Sequence, residues 1–194
     1  QPIGQGGMAE VWQAVDTRPQ MLSRTYAIKF AHLRTLEDRE RRARFLRELQ
    51  SLIRLQHGHI VGVIDTDEYK KIPYLVMEYL PGGTLADIQR PIAWQSAVRA
   101  LAPIAHALTK AHQGVTVDGQ RIPIVHRDVK PSNILIRSRE PELDLVITDF
   151  GIVRFMEAED RTADYQTADA QRIGTLAYMS PEQLLGEAIT PKSD

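Results

Sequence analysis

The run His126-Arg127-Asp128-Val129-Lys130-Pro131-Ser132-Asn133 puts a carboxylate, an ammonium and an amide within six residues, and a second carboxylate follows in Asp149-Phe150-Gly151. One acid, one amide and a second acid at these spacings suit a reaction in which a hydroxyl is oriented while metal-neutralised phosphates are held. A glycine-rich stretch, Ile3-Gly4-Gln5-Gly6-Gly7-Met8-Ala9-Glu10-Val11-Trp12, lies near the start. Glycines let a backbone approach phosphates closely and adopt positive φ. Such a turn could open a helix, as dinucleotide-binding turns do. Here Glu10 to Val15 alternates and predicts a strand, which excludes that reading. Tyr26-Ala27-Ile28-Lys29-Phe30 is a second β-prone run, with a single lysine inside it.

The H-R-D-x-K-P-x-N run followed by D-F-G resembles the catalytic core of the bacterial-type, eukaryotic-like serine/threonine protein kinases, and the resemblance covers nearly the whole chain. It implies ATP and Mg²⁺ as cofactors and protein hydroxyls of serine or threonine as acceptors. Asp128 would orient the substrate hydroxyl and Lys130 would stabilise the γ-phosphate. Asn133 and Asp149 would bind the Mg²⁺ ions. Lys29 would hold the α- and β-phosphates, paired with Glu48 of the following helix. Thr175, in Gly174-Thr175-Leu176-Ala177-Tyr178-Met179-Ser180-Pro181-Glu182, would bond Asp128 and Lys130. The nucleotide itself would meet Ile3, Gly4, Gly6, Gly7, Val11, Ala27, Lys29, Met77, Glu78, Leu80 and Leu135. Ala9 stands where a third glycine is usual, and Ser180 where alanine is commoner. The resemblance also implies that His126 packs with Phe150, Leu52 and Val63, and that Asp194 holds the catalytic-loop backbone.

These residues need elements to position them. Asp38 to Gln56 predicts an amphipathic helix with Phe45, Leu49, Leu52 and Ile53 on one face. Ile60 to Ile64 and Ile72 to Leu80 predict strands joined by a polar turn, with Met77 as core, as the residue behind adenine, or as both. Pro81-Gly82-Gly83 marks a boundary. A longer helix follows with Trp94, Val98, Leu101, Ala105, Leu108 and His112 on one face and a kink expected at Pro103. Asp118-Gly119 between β-prone residues predicts a surface hairpin in the 113–123 segment. The expected fold is α+β and two-lobed. An N-lobe of residues 1–80 holds an antiparallel sheet and one helix, and a mainly helical, incomplete C-lobe takes in residues 81–194. Residues 149–182 match an activation segment in which Thr162 or Thr167, once phosphorylated, could be ordered through Arg127. Self-association would serve such autophosphorylation.

Composition agrees with a globular domain. Of 194 residues, 43% are hydrophobic and 25% charged, and the net charge of −1 gives no nucleic-acid footprint. No cysteine occurs, which removes disulfides and thiolate metal sites. No apolar run is long enough to span a bilayer. A cytoplasmic domain is expected, either alone or in a larger, membrane-tethered protein. Two rival readings stay open: a nucleotide-binding scaffold without catalysis, and a small-molecule kinase of the same fold, against which the peptide-suited segment 175–182 counts.

Overall fold

Short β-prone runs that alternate in hydrophobicity and are separated by turns can satisfy their main-chain groups only by pairing with one another. In the computed structural model they do so in a five-stranded antiparallel sheet. The structure describes residues 1–5, 9–18, 24–31, 49, 51–70, 72–117, 119–150 and 176–194. They form two units, Gln1–Gln56 with Val61–Tyr79, and His57–Ile60 with Leu80–Asp194.

In the first unit the strands are β1 (Pro2–Gln5), β2 (Ala9–Val15), β3 (Thr25–Ala31), β4 (Val63–Tyr69) and β5 (Ile72–Glu78), in the order β1-β2-β3-β5-β4. Val11 pairs with Lys29 and Lys29 with Leu75, while Gln13 pairs with Ala27 and Ala27 with Met77. Side chains opposite one another in a ladder share a face. One face of the sheet therefore carries Val11, Ala27, Lys29, Leu75 and Met77, of which all but Val11 are buried. Leu49 and residues 51–53 are helical, and Leu49, Leu52 and Leu55 are buried. The rest of the predicted 38–56 helix lies outside the described residues.

One strand sits later than its sequence pattern suggests. Ile60 and Val61 precede β4, which instead takes in Asp65, Asp67 and Glu68. Those acids predict a turn because their β-propensity is low. They are tolerated because β4 is an edge strand, where charge facing solvent also discourages pairing with another chain.

The second unit contains α1 (Trp94–Gln113), the hairpin β6 (Val115–Val117) with β7 (Gln120–Ile122), the hairpin β8 (Ile134–Ser138) with β9 (Asp144–Ile147), and α2 (Pro181–Leu185). Strands β6 and β7 pair as the Asp-Gly dipeptide predicts, with Gly119 at φ +77° between them. Helix α1 runs unbroken through Pro103. Its buried face is not the one that carries Trp94 and Val98. Ala100, Ile104, Ala107 and Ala111 are buried, whereas Trp94 is 71% and Val98 59% exposed. The helix has two apolar stripes, and the one made mostly of alanines permits closer approach to β9, against which α1 packs.

Among the described glycines of this unit, Gly82 shows the tightest backbone approach. A Cβ built there would lie 2.1 Å from the carbonyl oxygen of Ile136, and the Ile136 N–H donates to Gly83 O at 2.9 Å. Gly82→Ala is therefore expected to destabilise the protein by about 1–3 kcal/mol, because main-chain atoms rather than a flexible side chain must move. Urea unfolding checks this, and an unchanged midpoint would mean that the chain at Gly82 relaxes freely.

Candidate active site

Between β7 and β8 the chain forms a loop whose side chains brace one another. Pro131 occupies the first position of a single 3₁₀ turn, Pro131–Asn133, where its missing N–H costs nothing. That turn brings the buried Asn133 back onto Asp128. The Asn133 Nδ2 donates to the main-chain oxygen of Asp128 at 2.8 Å and to its Oδ2 at 2.9 Å. Lys130 Nζ lies 2.8 Å from the same Oδ2. One carboxylate oxygen of Asp128 thus receives two side-chain donors, which fixes the orientation of the other. Thr148 donates its N–H to the Asn133 carbonyl at 2.9 Å, and Asp149 follows directly at φ +69°. A non-glycine residue in that region costs roughly 1–3 kcal/mol, and such residues cluster at functional sites.

His126 is fully buried. Its Nδ1 accepts the Asp128 N–H at 3.2 Å, so the proton sits on Nε2, which donates to Thr148 O at 2.6 Å. The ring packs on Phe150 with centroids 4.6 Å apart. Burial pushes the imidazole pKa below its ordinary 6.5, partly opposed by the hydrogen bond to Thr148 and the nearby carboxylate of Asp194. This histidine is a packing and orienting group in its neutral form. The unfolded chain then binds a proton that the folded chain refuses, so stability is full above about pH 6.5 and falls as pH drops below it, by up to about 1.4 kcal/mol per pH unit until the folded-state pKa is reached. Urea midpoints measured across that window should fall more steeply for the wild type than for His126→Phe, which is less stable throughout but cannot titrate there. Parallel slopes would show that another group sets the acid limb.

Asp194 is the second brace. Its side-chain carboxylate is wholly buried and accepts the main-chain N–H groups of His126 and Arg127, each at 2.7 Å, as the resemblance implies. His112 Nε2 lies 2.8 Å from the same carboxylate. Arg127 adopts φ +71° and its carbonyl accepts from Gln183 Nε2 at 2.6 Å. Neither His112 nor Gln183 stood out in the sequence. His112 read as part of an apolar helix face, and nothing local marks a glutamine as a partner for a main-chain group 56 residues away.

The other candidate residues divide by unit. In the first, Val11, Ala27, Lys29 and Met77 share the sheet face described above, Gly4 pairs with Val11, and Ile3 is exposed in β1. The Glu78 N–H is bonded to Gly62 O at 3.0 Å. In the second, Leu135 pairs with Val146 and forms a bridge to Thr84, close in sequence to Leu80. Gly6, Gly7, Glu48, Thr162, Thr167 and Thr175 lie outside the described residues. Among the described residues no three His, Asp or Glu side chains converge as a metal cage. The donor set fits Mg²⁺ only in its usual protein role, in which one or two side-chain oxygens are completed by phosphates and water.

Comparison with known proteins places this arrangement. The family model described as "Protein kinase domain" matches residues 1–194. A probable serine/threonine-protein kinase of Corynebacterium efficiens is 37% identical over 99% of this chain and 28% of its own length. The serine/threonine-protein kinase PknB of Mycobacterium leprae is 39% identical over 99% of this chain and 29% of that protein. The chain thus spans under a third of the length of these two relatives. Among solved structures, Rad53 1–466 in complex with AMP-PNP superposes with a TM-score of 0.70 at 28% identity, covering 95% of this chain and 41% of that one. The PknI kinase domain of Mycobacterium tuberculosis gives 0.67 at 25% identity, covering 100% and 67%. The family model matches from the first residue to the last, and the relatives and superposed structures agree with it: the chain belongs to the protein kinase domain family.

Proposed function

We propose that this domain transfers the γ-phosphoryl group of ATP to serine or threonine hydroxyls of proteins. The observation that carries the reading is the Asp128 carboxylate, held at one oxygen by Asn133 and Lys130 and presented on a backbone clamped by Asp194. We assign the two structural units as N-lobe and C-lobe.

The residue roles are those the kinase resemblance implies, and the chemistry of each side chain supports them. Asp128 accepts the hydroxyl proton as the substrate oxygen bonds to the γ-phosphorus and the bond from that phosphorus to the bridging oxygen of ADP breaks. Lys130, an ammonium beside that carboxylate, offsets negative charge on the transferring group. The nitrogen end of the Asn133 amide is engaged with Asp128, which leaves its oxygen end, together with Asp149, for a hard cation. Mg²⁺ would neutralise phosphate charge there. Lys29, with Glu48 as partner, holds the α- and β-phosphates, and the glycines Gly4, Gly6 and Gly7 would cover them. Val11, Ala27, Met77 and Leu135 contact adenine. The Glu78 amide is already bonded, so its adenine contact falls to its carbonyl, with Leu80 supplying the other main-chain group. Thr175 bonds Asp128 and Lys130. Lys130 and Thr175 are the types that the serine/threonine resemblance implies. Phosphorylation of Thr162 or Thr167 by a second copy, read by Arg127, would activate the domain. The site of action is the cytosol, where ATP is available. Among the described residues no helix is long and apolar enough to cross a membrane.

The test is incubation of the purified protein with Mg²⁺ and ATP in the presence of a general protein substrate, with phosphosites mapped by mass spectrometry. Phosphoserine or phosphothreonine that disappears in Lys29→Met supports the reading. Measurable ATP binding without any transfer would favour a scaffold instead.

A further inference from the structure

The peptide plane joining Arg127 to Asp128 is held at both ends by side chains. Its N–H, on Asp128, donates to His126 Nδ1, and its carbonyl, on Arg127, accepts from Gln183 Nε2. The preceding plane is tied by the Arg127 N–H to Asp194 Oδ1. A planar peptide can reorient only by rotating about the flanking bonds. Arg127 sits at φ +71°, a region a non-glycine residue leaves readily when nothing holds it. Rotation of this plane would move the Asp128 Cα and, with it, the carboxylate.

The same Gln183 amide uses its other end. Its Oε1 accepts the main-chain N–H of Ser180 at 3.0 Å, at the start of α2. The two partners fix the amide orientation, because a carbonyl needs a donor and an N–H needs an acceptor. One side chain therefore ties the segment that begins α2 to the peptide bearing Asp128. Glu182 adds a parallel link, since it accepts from Ser193 Oγ, the neighbour of Asp194.

We propose that Gln183 is a positioning residue for phosphoryl transfer: it locks the Arg127–Asp128 peptide only while the 180–183 segment is in place, so that order around the incoming substrate is transmitted to Asp128. This rests on the kinase reading above, and the experiment separates the two.

Gln183→Glu keeps the shape and the Ser180 contact but faces Arg127 O with an oxygen. Gln183→Met keeps the volume and loses both bonds. With saturating peptide at about pH 8, both variants should lose about ten- to a hundred-fold in kcat, with KM for ATP changed less than about two-fold. As pH falls toward about 5.5, protonation of the introduced carboxyl restores a donor toward Arg127 O. The ratio of Gln183→Glu to wild-type kcat should then rise, while that of Gln183→Met should not. Hydrogen exchange at the Asp128 amide should be faster in both variants when each is folded by its thermal midpoint. A Gln183→Met protein with wild-type kcat and wild-type exchange overturns the proposal, as does a Gln183→Glu deficit equal at every pH. A wild type without transfer sinks the kinase reading instead, and the exchange measurement alone then decides the clamp. If Gln183→Met fails to fold, the pH ratio and exchange of Gln183→Glu decide it.

Discussion

Asp128→Asn should lower phosphoryl transfer by about 10²- to 10⁴-fold, the range associated with a positioned general base. The replacement is isosteric, and its side-chain oxygen can still accept from Asn133 Nδ2 and Lys130 Nζ, which lie 2.9 and 2.8 Å from Asp128 Oδ2. What is lost is negative charge and the capacity to take a proton. ATP binding should persist, because Asp128 faces the hydroxyl rather than the nucleotide in the proposed mechanism. Single-turnover assays beside calorimetric ATP titration would show a loss in rate with little change in affinity. A variant that transfers phosphate at the wild-type rate would remove Asp128 from the mechanism. One that loses ATP binding as well would point to collapse of the loop, since Lys130 then loses this ion pair in a mostly buried position.

Asp194→Ala should destabilise the second unit by about 3–5 kcal/mol, the range for stripping one partner from a buried charged network. The carboxylate is fully buried and receives the N–H groups of His126 and Arg127 and the Nε2 of His112. Removing it orphans two main-chain donors, each costing about 1–3 kcal/mol when left dry. Against a typical total of about 5–15 kcal/mol, that is a large fraction. Chemical denaturation measures the loss, and hydrogen exchange at His126 and Arg127 locates it. Asp194→Asn should fall between, because it keeps one acceptor but turns an NH₂ group toward a donor. If Asp194→Ala unfolded at the wild-type midpoint, water would have to reach those amides.

Much of this domain could be read from local sequence because the forces involved are local. The antiparallel pairing of β1 with β2, on either side of the glycine-rich stretch, follows from alternation along the two strands. The 115–122 hairpin follows from Asp-Gly between β-prone residues. That Lys29 faces the same way as Ala27 follows from the period of two in β3, and the sheet then buries that face. The proximity of Asp128, Lys130 and Asn133 is set by a single 3₁₀ turn that Pro131 starts.

Other features were decided by tertiary packing. Helix α1 carries two apolar stripes, and periodicity favours the one with the larger side chains. The structure buries the alanine-rich one, whose small side chains permit close approach to β9. The edge position of β4 makes three acids acceptable in a strand, a fact about neighbours rather than propensity. The clamps on the 126–133 loop come from residues 56 to 68 positions distant, Gln183 and Asp194, and His112 meets the same Asp194 oxygen as the His126 N–H. Spacing along the chain therefore brought Asp128, Lys130 and Asn133 together in one short loop. The fold decided how rigidly they are held, because main-chain donors and acceptors in a loop find whatever partner three-dimensional closure brings to them, and no period in the sequence encodes that meeting.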